Sequence, residues 1–187
     1  MSIISSLLGR KITVKSVLAD TQKEIFVLYG VAKPSDAQKL KASVYLSIAA
    51  SAMLSDFGGA RVKGLIDRVA KESAELTKPL GMLVRDLAHD SEELQKVLAT
   101  FPADINITES TSINGLGAFD ALYHAKVNEV IQDIWSHRNG PTGTPGYACI
   151  VLAAGIFGKE GSDKLPKMFM PAVFHLSDFA AKLLKAA

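Results

Sequence analysis

The stretch SVYLSIAASAML, residues 43–54, decides the fold of this chain. It contains no charged side chain, and its serines and alanines are interspersed with larger aliphatic residues. Wound into a helix, it would be apolar nearly all round, which is typical of a helix that is buried on every side. The sequence therefore predicts a central helix that begins near Ser35, where a hydroxyl can cap it, and continues to about Phe57.

Further helices are predicted on both sides of this segment, because apolar residues recur every three or four positions. Upstream, the pattern covers residues 14–29 and meets a stop signal at Gly30. No stretch shows sustained strand alternation, and only residues 104–108 could form a short extended segment. The other predicted helices cover residues 62–76, 79–88, 91–101, 118–138, 145–157 and 170–185, with a polar turn at residues 158–166.

These elements predict an all-α fold, a single bundle of about seven or eight helices that spans residues 1–187. The polar segment 103–115 is the best candidate for a functional loop, and it is compatible with two sub-units, 1–102 and 116–187. Residues 45–59 and 147–161 each have a leading tyrosine, an aliphatic helix and a glycine-rich stop. This likeness is compatible with two pseudo-repeated halves, and convergence on a buried-helix composition explains it as well.

Composition restricts the function classes. Of 187 residues, 48% are hydrophobic and 7% aromatic, so either the core is large or a partner covers some apolar surface. The net charge of +2 is too balanced for an electrostatic nucleic-acid binder. No apolar run reaches the ~20 residues of a membrane span, and the N-terminus does not read as a signal peptide. We expect a cytoplasmic protein that is not a membrane protein, with Cys149 as a small buried hydrophobe.

The stretch NGPTGTPGYACIVLAAGIFG, residues 139–158, begins like a phosphate-binding loop. Such a loop needs G-x-x-x-x-G-K-[ST] between a strand and a helix. Here Pro145, Gly146 and Tyr147 occupy the positions of the glycine, the lysine and the hydroxyl residue, and a helix precedes the loop. The sequence instead predicts a helix connector, in which Asn139-Gly140 forms a left-handed cap, Thr144 caps the next helix and Pro145 is its first residue. No cofactor is expected.

Metal or acid–base chemistry has few candidate residues. Asp120 and His124 are four residues apart on one predicted helix, as are Asp133 and His137. Asp120 borders the apolar face, so Asp120 and His124 are the first candidates for a metal, although surface hydrogen bonding explains both pairs. The SDFGG stretch with its flanking helices resembles tellurite-resistance-type domains over about thirty residues. The acidic residues that this family has after the turn are absent here.

The leading functional hypothesis is a non-enzymatic helical protein that binds other proteins, including copies of itself. Aromatic and basic residues near helix ends are favoured interface anchors. The alternatives are a helical domain that binds a small molecule or metal and, last, a membrane-inserting toxin-like protein. The candidate interface residues are Trp135, His137 and Arg138 at the end of one helix, and Phe169, Phe174 and His175 in the last one.

Overall fold

The computed structural model describes residues 12–83 and 112–187. The all-α prediction is confirmed, but the predicted seven or eight helices do not match the five found within these residues. The predicted helix at 91–101 and the extended segment at 104–108 lie outside the described residues. The helices are α1 (Val14–Leu28), α2 (Asp36–Ser55), α3 (Ala60–Thr77), α4 (Gly115–Ser136) and α5 (Gly143–Ala186), and the strands are β1 (Gly81–Leu83) and β2 (Ser112–Asn114).

Helix α2 lies at the centre of the bundle, as its sequence predicts. Ser35 begins it with a capping box, because the Ser35 hydroxyl accepts from the Gln38 N–H while Gln38 Oε1 accepts from the Ser35 N–H. Every residue from Ala42 to Leu54 is buried, and α3, α4 and α5 all pack against this helix. The absence of charge in this stretch thus corresponds to the absence of a solvent-facing side.

The connection beyond α3 differs from the prediction. Residues 81–83 were expected to be helical, but they form β1, which pairs antiparallel with β2 in the register Gly81 to Asn114. The ladder continues where the Gly115 N–H donates to the Leu80 carbonyl at 3.0 Å. Because the pairing partner of β1 lies about thirty residues away in sequence, local periodicity could not reveal it.

Helix α5 reverses direction at Gly158, whose φ of 60° and ψ of −139° lie outside the helical region. We call residues 143–157 the first arm and residues 159–186 the second arm. The expected polar turn at 158–166 and the helix start at 170 are therefore wrong, because the second arm is helical from the reversal onwards. Pro166 and Pro171 both lie on its exposed side, where carbonyls left without an N–H partner face water.

Contacts between the two arms show that they fold back on each other. Cys149 of the first arm and Leu176 of the second line the same small cleft. A Cβ atom at Gly161 would overlap the carbonyl oxygen of Ala153, so the two arms are in close contact near the turn. Beside the turn, Phe157 stacks on Tyr29 with ring centroids 4.5 Å apart, and Lys164 Nζ donates to the Tyr29 carbonyl at 3.1 Å.

The helix caps in the connector between α4 and α5 differ from the predicted ones. The left-handed glycine is Gly143, with φ of 60°, rather than Gly140. Helix α4 ends through tight turns, in which the N–H groups of His137 and Arg138 donate to carbonyls three residues earlier. The residue that precedes α5 is Thr142, which makes Pro145 the third residue of the helix. Thr144 does not cap α5, because its hydroxyl donates to Asp56 at 2.6 Å.

Within residues 12–83 and 112–187, no helix is both long and apolar enough to cross a membrane.

Candidate functional site

A cluster of polar and aromatic side chains joins the end of α4 to the start of α5. The Tyr147 hydroxyl lies 3.2 Å from each oxygen of the Asp133 carboxylate, to which it donates. The His137 ring stacks on the Tyr147 ring, with centroids 3.9 Å apart and planes nearly parallel. Burial raises the pKa of Tyr147, and the charge of Asp133 raises it further. We call Asp133, His137 and Tyr147 the junction cluster.

The side chains of the junction cluster are engaged in contacts with one another and with the end of α4. His137 Nδ1 lies 2.9 Å from the Asp133 carbonyl oxygen and 2.8 Å from the Ser136 hydroxyl, and it is 3.8 Å from the Asp133 carboxylate. Each of these contacts is local, and the side chains of Asp133 and His137 are about half exposed. The predicted pairing of Asp133 with His137 is therefore present, as a partly exposed interaction at a helix end.

Trp135 is less free to bind a partner than the sequence suggests. Its indole N–H donates to the Ala52 carbonyl of α2 at 3.4 Å, and its ring packs against the core. Arg138, by contrast, is exposed. These two candidate interface residues therefore differ, since Trp135 is engaged with the central helix and Arg138 faces solvent.

The first-ranked metal candidates, Asp120 and His124, are both exposed on α4. Asp120 and His124 do not form an ion pair with each other. The His124 ring instead lies edge-on to the Tyr123 ring, with centroids 6.0 Å apart. Across the described residues, no three or more histidine, cysteine, aspartate or glutamate side chains converge as a metal site would require. Asp120 and His124 thus have no third ligand among these residues.

A long groove runs between α1 and the second arm. Its larger cleft, about 380 Å³, is bounded by Asp20, Lys23, Glu24 and Lys182, together with Ile12 at one end. A second cleft of about 260 Å³ continues it past Val27 and His175. Lys23 and Glu24 line both clefts, so they form one continuous surface, which we call the α1 groove.

Charges of both signs lie at the middle of the α1 groove. Lys182 Nζ is 2.6 Å from Asp178, and His175 Nδ1 is 3.4 Å from Glu24. The hydrogen bond that Lys182 donates to Asp178 raises the pKa of Lys182, and the charges of Glu24 and Asp20 raise it further. The groove therefore offers both carboxylates and cations to whatever occupies it.

Large apolar side chains of α1 and of the second arm are exposed. Val27, on the α1 side, is 77% exposed, and Phe174, adjacent to His175 in sequence, is 67% exposed. Met170 lies one helical turn before Phe174 and is 50% exposed. Phe169 is only partly buried and packs against the core. Of the predicted interface residues of the last helix, His175 thus lines the α1 groove, and Phe174 is exposed next to it in sequence.

The cleft that contains Cys149 is too small for a ligand. It encloses about 10 Å³, which is room for about one water molecule. Burial raises the pKa of the Cys149 thiol to about 12 and that of the Tyr29 hydroxyl, on the same cleft, to about 12. The prediction of a buried cysteine is confirmed, since Cys149 is 2% exposed.

The α1 side of the α1 groove was not predicted from the sequence. Asp20 and Lys23 are ordinary polar residues of an amphipathic helix, and nothing in their spacing separates them from a solvated face. Val27 was the one residue on this side that could have indicated a binding surface, because it is a large aliphatic residue outside the buried positions of α1. A single exposed hydrophobe is common, however, and becomes informative only beside others.

No protein-family model, no curated protein and no solved structure matches this chain.

Proposed function

We propose that this protein is a non-enzymatic helical protein that acts by binding protein, and that it associates with a second copy of itself through the α1 groove. The observation that carries the proposal is the exposure of Val27, which lines that groove, together with the exposure of Phe174 on the second arm. Large apolar side chains that flank a cleft are a usual mark of a protein-binding surface.

A second copy is the favoured occupant because the charges of the α1 groove are self-complementary. Asp20 and Glu24 lie beside Lys23 and Lys182. A two-fold axis places each patch against an identical one, so a patch with both signs can oppose carboxylates with cations. A patch of one sign would repel its own copy. The apolar residues supply the contact area, and the charges set its register.

The proposal is tested by sedimentation equilibrium over a concentration series. The variant Val27→Ser/Phe174→Ser removes exposed apolar area from α1 and from the second arm without touching the core. We expect it to weaken dimerisation by at least about tenfold, in line with the loss of interface anchors. The matched control is Phe57→Ser, since Phe57 is 62% exposed but lies in the turn between α2 and α3.

The outcomes separate clearly. Dimerisation that is weakened by the groove variant and unchanged by Phe57→Ser supports the proposal. A wild-type protein that stays monomeric at every concentration contradicts self-association. Equal weakening by both variants places the contact somewhere other than the α1 groove.

A further inference from the structure

The reversal of α5 depends on two glycines that a continuous helix would not need. Gly158 is the single residue of α5 outside the helical region, and its φ of 60° with ψ of −139° is rarely adopted by a residue with a side chain. Gly161 must lack a Cβ because that atom would overlap the Ala153 carbonyl of the first arm. Both requirements arise from the fold-back and disappear if the chain runs straight on.

The backbone on both sides of Gly158 is already helical. A change of conformation at Gly158 alone would therefore join the arms into one helix of 44 residues, about 66 Å long at 1.5 Å per residue. A Cβ atom added at Gly158 would meet no other atom within 4 Å, so there is open space on that side of the hinge residue. The contacts described for the reversal are therefore those of the two arms with each other and with α1, such as the close approach of Gly161 to Ala153.

The second arm binds its own bundle through a surface that any copy of the chain also offers. Its buried side packs on α1 and on the first arm around the cleft lined by Ile25, Cys149 and Leu176. His175 contacts Glu24 of α1, and Lys164 donates to the Tyr29 carbonyl. The buried residues of this side are Ala172, Val173, Leu176, Phe179, Ala180 and Leu183.

We propose that two copies of this chain exchange their second arms, each straightened α5 placing residues 159–186 on α1 of the other copy. The partner is a second copy because only the same sequence repeats every contact of the arm. The proposal rests on the proposed self-association, which brings α1 and the second arm of two copies together. It adds to that surface contact the exchange of the second arm, and a dimer that buries this arm should dissociate more slowly than one held by a surface contact.

The first test replaces both glycines of the reversal in the variant Gly158→Ala/Gly161→Ala. Alanine is strained at the first position and clashes at the second while the arms fold back, yet it favours a straight helix. We expect the dimer fraction measured by light scattering after size exclusion to rise at least about tenfold. The matched control is Gly30→Ala, because Gly30 also has a positive φ and open space around it but lies between α1 and α2.

The second test measures the path of α5 directly and does not depend on how the glycine variant folds. Spin labels are placed at Ile150→Cys and Ser177→Cys in a Cys149→Ala background, and labelled protein is diluted into excess unlabelled protein. In the folded-back form the two positions lie on adjacent helices, whereas in a straight α5 they are about 40 Å apart. Pulsed electron–electron double resonance measures the distance between the two spin labels within one labelled copy.

A population near the long distance in the dimer of the wild-type sequence supports the exchange. A dimer that shows only the short distance overturns it while leaving the proposed self-association intact. A glycine variant that is folded by circular dichroism, monomeric and short in distance also overturns it. A wild-type chain that stays monomeric with only the short distance contradicts both proposals.

Discussion

Thr144 donates its hydroxyl hydrogen to Asp56 Oδ2 at 2.6 Å and so joins two helix ends that are 88 residues apart in the chain. Thr144 is 4% exposed, in the first turn of α5, and Asp56 follows the last residue of α2. The bond is charge-assisted, which makes it stronger than a bond between neutral groups. It anchors the start of α5 to the central helix.

Replacing this hydroxyl should destabilise the fold. We expect Thr144→Val, which keeps the shape of the side chain, to lower the free energy of unfolding by about 1–2 kcal/mol, because a hydrogen bond to a charged group is lost. Urea unfolding followed by circular dichroism measures the change. Thr142→Val is the control, since Thr142 makes no capping hydrogen bond at the start of α5. Equal losses in the two variants would contradict the role given to the Asp56 contact.

Gly155 permits the close contact between α2 and the first arm. A Cβ atom there would overlap the ring of Tyr45, which is 5% exposed. Gly155→Ala should therefore lower the free energy of unfolding by about 1–3 kcal/mol, the usual cost of overpacking a core. The control is Gly64→Ala in the second turn of α3, where no atom lies within 4 Å of the added Cβ.

The expected sign for that control is the opposite. At Gly64 the alanine should raise stability by about 0.5–1 kcal/mol, since it improves helix propensity without a clash. Thermal unfolding of both variants alongside the wild type gives the comparison. A stabilised Gly155→Ala would show that Tyr45 does not pack on the first arm as described.

Cys149 should be unreactive in the native protein. Its thiol is buried and its pKa is raised to about 12, so little thiolate is available near neutral pH. We expect a thiol-specific reagent to react more than about tenfold more slowly with the native protein than with the protein in urea. The variant Cys149→Ala/Ile150→Cys is the control, because position 150 is 40% exposed. Fast native labelling of Cys149 would contradict its burial.

Alkaline pH should destabilise the protein through Tyr29. Burial raises the Tyr29 pKa from 10.0 to about 12, so the folded state holds its proton more tightly than the unfolded state. The resulting stability is fully present below about pH 10 and is lost as the pH rises towards 12. Urea midpoints of Tyr29→Phe and the wild type should therefore draw together, or cross in favour of Tyr29→Phe, as the pH rises through this window. A gap that stays constant would contradict the raised pKa.

Acid should remove a smaller contribution to the stability of the fold, which Asp36 makes at the start of α2. The Asp36 carboxylate is 2.8 Å from Lys39 Nζ, and the hydrogen bond from Lys39 lowers the Asp36 pKa. Because the folded pKa is depressed, the stabilisation is present above the unfolded value near 4 and is lost as the pH falls through the folded value. Asp36→Asn should cost about 0.5 kcal/mol at neutral pH, as for an exposed ion pair.

The cost of Asp36→Asn should disappear in acid. Urea unfolding of this variant and of the wild type should show two curves that converge below about pH 4. Asp67→Asn, at an exposed position of α3, serves as the control for a general change of surface charge. A cost that persists at low pH would show that the asparagine acts through packing or capping rather than through charge.

Local features of the sequence were sufficient to predict the core of the fold. The uncharged residues 43–54 predicted the burial of α2, and the serine before Asp36 predicted its start. Gly30, with φ of 73°, ends α1 where expected. Such signals succeed because burial periodicity and helix caps depend on residues within one or two turns of each other.

The candidate site was only partly predictable. Phe174 and His175 were chosen for their residue types, and the structure places His175 in the lining of the α1 groove and leaves Phe174 exposed next to it in sequence. Trp135 was chosen on the same ground, but its indole hydrogen bonds to Ala52. Residue type alone does not show which side of a helix another helix covers, so it could not separate these cases.

The sequence by itself determined that this chain is helical, where the central helix lies and that its single cysteine is buried. The tertiary structure alone decided that α5 turns back at Gly158, that β1 pairs with β2 and that Thr144 binds Asp56 rather than capping its own helix. The physical reason is the range of the interactions involved. Helix propensity and capping act between near neighbours, whereas each of these three features depends on contacts between distant residues or between helices already packed together.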